Sequence, residues 1–197
     1  MEVYTSITNG KDKPRDDVKV FSGYDKFKSP VMNAKVYKVL AHKFLDTDIS
    51  IWMDGNIYLK HKPEWYVENW LGDNDIALFR HYKSKSIERE IKLIKYAWST
   101  RDRAVYEESI KQVEHYKKLG EPKQDMAMGG FIIRRHSPIV EQFNEAWWAE
   151  ICYWGQRDQL SLPIVLNRFP DLKVNRINES IIKNPHTRYE KHQHFNT

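Results

Sequence analysis

The stretch that most limits what this chain can fold into is Ile49 to Lys60, ISIWMDGNIYLK. Ile49, Ile51 and Met53 alternate with Ser50 and Trp52, which predicts a short strand that leaves a core and presents Asp54 at its C-terminal edge. In open α/β sheets the ligand crevice lies outside the carboxyl ends of the strands. Gly55 permits a sharp turn or a close backbone approach, and Asn56 sets an amide beside the carboxylate. A carboxylate and an amide at a strand end suit a metal-bridged phosphate; an ordinary strand followed by an Asp-Gly turn also fits these few residues.

Strands and helices alternate around this stretch. Glu2 to Thr8 predicts a first strand closed by Asn9-Gly10, and small hydroxyls such as Thr5 suit a nucleotide crevice. Val18 to Phe21 predicts a second short strand. A helix over about Asn33 to Leu45 sets Val36, Val39, Leu40 and Phe44 inward and leaves Lys35, Lys38, His42 and Lys43 for the remaining surface. Pro63 opens a short helix through Trp70. Ile76 to Phe79 predicts a strand that delivers Arg80 and His81 to its end, as the earlier strand delivers Asp54. Ser86 caps a helix with Ile87, Ile91, Ile94 and Trp98 at near-heptad spacing, and a second helix runs from about Ala104 to Leu119 before Gly120-Glu121-Pro122. This pair reads as a helical insertion around 86–119 over the strand-end face. Met126 to Arg135 predicts another core strand, Ser137-Pro138 opens a long helix, and Arg157-Asp158-Gln159 precedes an apolar helix. Phe169 to Asn175 predicts a last edge strand, and residues 184–197 a polar, loosely held tail.

At 197 residues, with 41% hydrophobic and 13% aromatic content, one well-buried α/β domain over 1–197 is expected. No window approaches the roughly 18 consecutive apolar residues of a membrane span, and MEVYTSITNG lacks the basic start and apolar body of a signal peptide, so a cytoplasmic protein is expected. The lone Cys152 excludes an internal disulfide and, among Ile151, Tyr153 and Trp154, is expected to be buried and inert. From Arg80 to Arg103 there are eight Lys or Arg against three acids, so this segment carries the whole net charge of +5. A localised basic segment fits a polyanionic partner, such as a diphosphate, DNA or an acidic polysaccharide, and equally a solvated helix face.

IWMDGNIYL after NAKVYKVLAHKFL, then LFRHYKSKSIEREI, GGFIIRRHSPIVEQFNEAWW and RDQLSLPIVL, resembles in order and spacing the glycosyltransferase-like domain of the plant pectin- and mucilage-associated (TOD/MUCI-type) family. The likeness covers most of residues 1 to 170. It implies a single GT-A-like domain, a central mixed, mostly parallel sheet flanked by helices, and transfer of a sugar from a nucleoside-diphosphate donor, UDP favoured. The family's W-x-D-G element falls on Trp52, Asp54 and Gly55, its Arg-His element on Arg80 and His81, and its R-D-Q element on Arg157, Asp158 and Gln159. The D-x-D pair usual in GT-A enzymes has no second acid here, since Trp52 and Asn56 flank Asp54 at two residues' distance.

Breaking a sugar–phosphate bond requires neutralising the leaving diphosphate, by a hard cation on oxygen ligands or by Arg and Lys. Asp54 and Asn56, with His194 as a late ligand, are the candidate site for Mn²⁺ or Mg²⁺; Arg80, Lys83 and Lys85 are the cationic alternative. Thr5, Lys35, Asp54, Gly55, Asn56, Arg80 and His81 are the donor-binding candidates. Asp158 is the candidate acceptor-side carboxylate, with Gln159 orienting a sugar and Arg157 beside them. The acceptor is open between a hydroxymethylated DNA base and a polysaccharide. A non-catalytic nucleic-acid- or polysaccharide-binding protein working through the basic 80–103 segment is the alternative.

Overall fold

In the computed structural model, the structure describes residues 1–10, 12, 14–98, 102–120 and 126–191. Its strands are β1 (Glu2–Ser6), β2 (Lys19–Phe21), β3 (Ile49–Met53), β4 (Ile57–Leu59), β5 (Ile76–Arg80), β6 (Ala127–Arg135), β7 (Val174–Ile177) and β8 (Thr187–Tyr189). Six of them form one sheet in the order β2-β1-β3-β6-β5-β7, while β4 and β8 pair separately. β1 runs parallel to β2 and β3, and β5 to β7; β6 is antiparallel to both β3 and β5. The expected mixed, mostly parallel sheet is therefore present.

Reversal of β6 has a positional consequence. Its N-terminal end, with Gly129 and Gly130, meets the C-terminal ends of β3 and β5. The chain leaves β1 for β2 on one flank and returns to β3 on the other, so the β1 and β3 ends frame a point where the winding reverses, the usual place for a ligand crevice.

β3 is covered on both faces. Ile51, Trp52 and Met53 are all buried, because the alternation separates two covered faces. Trp52 packs with Tyr4, Tyr37, Phe143 and Trp147, whereas Ile51 and Met53 join Tyr66, Trp70, Phe79 and Phe131 on the opposite side.

Among the described residues six helices accompany the sheet. Helix α1 (Pro30–Val39) starts earlier than its apolar stripe suggested, because Ser29-Pro30 supplies the start signal, and it ends in a 3₁₀ turn over Ala41–Lys43. Helix α2 (Pro63–Tyr66) opens on a proline and widens into a π turn over Val67–Leu71 that Gly72 closes at φ 54°. The insertion is α3 (Ile87–Trp98) and α4 (Arg103–Leu119), with Ser86 accepting from the Arg89 amide at 3.3 Å and Asp102 accepting from the Val105 amide at 3.2 Å. Ile87, Ile94, Val113 and Tyr116 dock this pair against Met126, Leu160 and Ile164. Helix α5 (Pro138–Trp154) begins at Pro138, but the Ser137 hydroxyl makes no capping bond; α6 (Asp158–Asn167) follows the turn at Gly155.

Three expectations change. Cys152 is exposed on α5 rather than buried. The last sheet strand lies at Val174–Ile177, later than expected, where it pairs with β5. The supposed tail contributes β8, held by Asn184, whose side-chain carbonyl accepts from the amides of His186 and Thr187 at 2.9 and 2.8 Å. Residues 192–197 lie outside the described residues.

Phe131 is fully buried among Trp70, Phe79 and Tyr66, with ring centroids 5.5, 5.7 and 5.9 Å away. Phe131→Ala is expected to lower unfolding free energy by about 3–5 kcal/mol, measured by urea denaturation, because the aromatic cage cannot collapse onto the space left.

Candidate functional site

A crevice of about 650 Å³ opens at the C-terminal ends of β1 and β3. β3 delivers Asp54 to it, and the chain turns through Gly55 and Asn56 into β4. The Asp54 amide donates to the Gly130 carbonyl at 2.8 Å, and the Trp52 indole donates to an Asp54 carboxylate oxygen at 3.1 Å. Backbone and side chain of Asp54 are thus both oriented by neighbours in the sheet. The turn is braced from below by Arg15, whose guanidinium donates to the Ile57 carbonyl at 2.7 Å and is paired with Asp17 at 2.6 Å.

Lys35 and Lys38, three residues apart on α1, point from one helix face into the crevice. Both hold the same carboxylate. Lys35 Nζ lies 2.9 Å from Asp158 Oδ1 and Lys38 Nζ 2.6 Å from Oδ2, and all three side chains are buried. The Asp158 carbonyl is fixed in turn by the Trp147 indole at 3.2 Å and the Ser161 hydroxyl at 3.1 Å.

One carboxylate cannot neutralise two ammonium groups, so the buried cluster carries a net positive charge. Burial alone would raise the Asp158 pKa, but the attraction and hydrogen bonds of the two lysines override it and hold the carboxyl well below the ordinary range. Burial pushes the Lys35 ammonium down to about 8, assisted by repulsion from Lys38 and opposed by Asp158 and Asp54.

Glycines make this approach possible. A Cβ on Gly129 would stand 2.8 Å from Lys38 Nζ, and one on Gly130 would stand 3.0 Å from Asp54 Oδ2. Between the pairs Leu78–Ile132 and Phe79–Met128 the register of β5 and β6 slips, leaving Gly129, Gly130 and Phe131 without a partner on β5, the two glycines at the crevice.

A second chain of contacts joins the R-D-Q element to the end of β5. The buried Glu90 of α3 accepts from Arg157 Nη2 at 3.2 Å through Oε1, and its Oε2 lies 3.4 Å from His81 Nε2. The same Arg157 nitrogen donates to Gln159 Oε1 at 3.3 Å. His81 Nδ1 accepts from the amides of Ser84 and Lys83 at 2.8 and 3.2 Å, which directs its ring proton at Nε2 toward Glu90. Burial depresses the His81 pKa, with Glu90 opposing the shift and Arg157 adding to it.

Of the sequence candidates, Lys35, Asp54, Gly55, Asn56, Arg157, Asp158 and Gln159 line one crevice. Thr5 does not: its hydroxyl is buried behind Gly55, because Thr5 lies on the covered face of β1, while Ser6 and Thr8 reach the cavity. Arg80 and His81 line an adjoining cavity, because β5 is separated from β3 by β6. Lys38 and Glu90 are site residues the sequence reading missed. Lys38 had a readable signal in its spacing from Lys35; Glu90 resembled any acid in a helix first turn.

Asp54 and Asn56 both face the crevice, so a divalent cation would find one carboxylate and one amide oxygen there. Among the described residues no group of three or more His, Cys, Asp or Glu converges to hold a metal, and His194 lies outside them. Mg²⁺ is commonly held by one or two carboxylates together with substrate phosphates, so this donor set fits a cation that arrives with a diphosphate. Among the described residues no helix is long and apolar enough to cross a membrane.

The sequence profile of the TOD1/MUCI70 glycosyltransferase-like domain matches residues 19–189. Over 148 residues the chain is 30% identical to a protein of Arabidopsis thaliana named probable hexosyltransferase MUCI70, covering 69% of this chain and 25% of that one. The chain therefore spans about a quarter of that relative's length. Among solved structures it is similar to apo mouse xyloside xylosyltransferase 1, with TM-score 0.40 and 12% identity over 74% of this chain and 50% of the other. It is also similar to the apo bifunctional glycosyltransferase WbbM, with TM-score 0.44 and 10% identity over 97% and 45%.

Two titrations follow from the lysine–aspartate cluster. The lowered Asp158 pKa favours the fold above its unfolded value of 3.8, and that contribution is lost as pH falls below it. Charged Lys35 disfavours the fold fully below about 8, and the penalty is relieved as pH rises toward 10.5. The Lys35 ¹³Cε resonance is expected to titrate near pH 8 and lower still in Asp158→Asn. Asp158→Asn is expected to cost about 3–5 kcal/mol in denaturant unfolding at pH 7, because it strands two buried ammonium groups together.

Proposed function

The chain belongs to the TOD1/MUCI70 glycosyltransferase-like family, and from that premise we propose that it transfers a sugar from a nucleoside diphosphate, a UDP-sugar favoured, to an acceptor hydroxyl. The observation that carries this reading is the pair Lys35 and Lys38, buried on one carboxylate and facing Asp54 across a crevice of about 650 Å³. Surplus positive charge held in a partly desolvated cleft supports an anionic ligand more strongly than the same charge in water, and the volume suits a nucleotide-sized molecule.

In this reading the diphosphate lies between the lysines and Asp54-Asn56. A Mg²⁺ or Mn²⁺ ion held by Asp54 and Asn56 would neutralise the departing phosphate charge when bound. Lys35 stabilises the same developing charge from the α1 side. A carboxylate engaged at both oxygens and held at low pKa is a poor proton acceptor, so Asp158 is assigned to orienting the lysines and the donor sugar rather than to removing a proton from the acceptor. Gln159, placed by Arg157, presents an amide to the sugar. Ile181, Ile182 and Tyr189 supply an apolar wall for the rest of the donor. The exposed Arg89, Lys92 and Lys95 remain available to an anionic acceptor.

Thermal unfolding with UDP- and GDP-sugars, with and without Mn²⁺, tests the donor site. At a hundredfold excess over Kd a donor is expected to stabilise the chain by about 2.7 kcal/mol, and Lys35→Met or Asp54→Ala to abolish the shift. Absence of stabilisation by every donor at millimolar concentration, with nucleic acid or polysaccharide still bound by Asp54→Ala, would replace the transferase by the non-catalytic binding protein.

A further inference from the structure

Beside the donor crevice lies a second cavity of about 400 Å³, at the end of β5, that the reading above does not use. We propose that it seats a sugar ring of a glycan acceptor, with Tyr82 as the platform between acceptor and donor. The assignment rests on the donor reading of the larger crevice.

Tyr82 lines both cavities and is 45% exposed. Its ring is not loosely placed. It lies parallel to the His81 imidazole, with an interplanar angle of 5° and centroids 5.7 Å apart, and His81 is itself held by the Ser84 and Lys83 amides and faces Glu90. An aromatic platform on a fixed support loses little freedom when a flat apolar face settles on it. The apolar C–H face of a pyranose is such a face.

The remaining wall supplies what the sugar's hydroxyls need. Glu179 lines this cavity with its side chain 37% exposed, and its Oε2 has no hydrogen-bond partner, so a small turn of the carboxylate lets it accept from a hydroxyl. Ser180 Oγ accepts from the amides of Ile182 and Lys183 at 3.3 and 3.2 Å, which leaves its proton to donate. Asn178 adds an amide with both capacities. The same loop continues as Ile181 and Ile182 into the donor crevice, so one segment borders both cavities and sets them side by side.

The alternative acceptor, an extruded DNA base, makes different demands. A flipped base is gripped between aromatic or apolar faces and read along its hydrogen-bonding edge. Tyr82 and His81 here form one stacked platform, and the loop 178–180 in the same lining is polar. A single ring facing acceptors and donors fits a polyhydroxylated ligand.

The test uses the full chain, radiolabelled UDP-sugars, linear gluco-, xylo-, manno- and uronic-acid oligosaccharides, and hydroxymethylated duplex DNA. Label is expected in an oligosaccharide, with Tyr82→Ala and Glu179→Gln raising its KM about tenfold or more, Tyr82→Phe restoring it, and the donor KM of Glu179→Gln staying within about twofold. Acceptor KM unchanged in both variants, or label in DNA or in neither probe while donors still stabilise the chain, overturns the acceptor subsite and leaves the donor reading standing. Loss of donor stabilisation in the wild-type chain overturns the donor reading itself.

Discussion

Two lysines on one buried aspartate are the interaction on which the arrangement of the crevice depends. Lys35 and Lys38 come from α1, Asp158 from the start of α6, and the carboxylate ties the two helices across the sheet end at 2.9 and 2.6 Å. Removing such charges from water is costly, and the cost is tolerable only where each has a close partner. Here the compensation is incomplete by one positive charge. The fold therefore holds two cations on one buried carboxylate where its strand ends converge, with Asp54 the further carboxylate acting on Lys35, an arrangement that suits an anionic ligand between them.

The rest of the site serves this placement. Gly129 and Gly130 bring β6 close enough for Lys38 and Asp54 to fit, since a Cβ at either position would press on those side chains. Trp147 holds the Asp158 carbonyl, so a fully buried aromatic of α5 fixes the residue that both lysines meet. Arg15 braces the turn that follows Asp54 while stacking 4.3 Å above Tyr58, whose other cationic neighbour, Arg188, lies 4.5 Å from the ring. Small changes in packing at any of these points would shift the charges relative to one another.

Much of this was legible in the sequence, and the misses share a physical cause. Alternation in ISIWM located β3, and prolines at helix starts located α2 and α5, because local backbone preference and burial agree there. Asp54 was readable as a candidate from its place at a predicted strand end, and the R-D-Q element from the family resemblance. Lys38 shares a helix face with Lys35 by its spacing, but a lysine between apolar helix positions ordinarily faces water, and only the fold reveals that this face looks into a crevice. Thr5 and Ser6 were separable only by knowing where β1 ends and the crevice begins. The short β4 and β8 pair carries too few residues for a periodic signal, and its register is set by the partner strand rather than by its own sequence.

Glu90 shows how the inserted helices become part of the site. It is buried between Arg157 and His81, and it stands on α3, whose apolar face docks on α6 through Ile87, Ile94 and Leu160. A buried carboxylate holds its position only while its cationic partner is present, and Arg157 keeps its direction toward Gln159 only while Glu90 anchors it. The docking of the insertion and the orientation of the R-D-Q element are thus conditions for each other. Displacing α3 would part the buried Glu90 from the half-buried Arg157, so the insertion is held to the crevice by electrostatics as well as by its hydrophobic face.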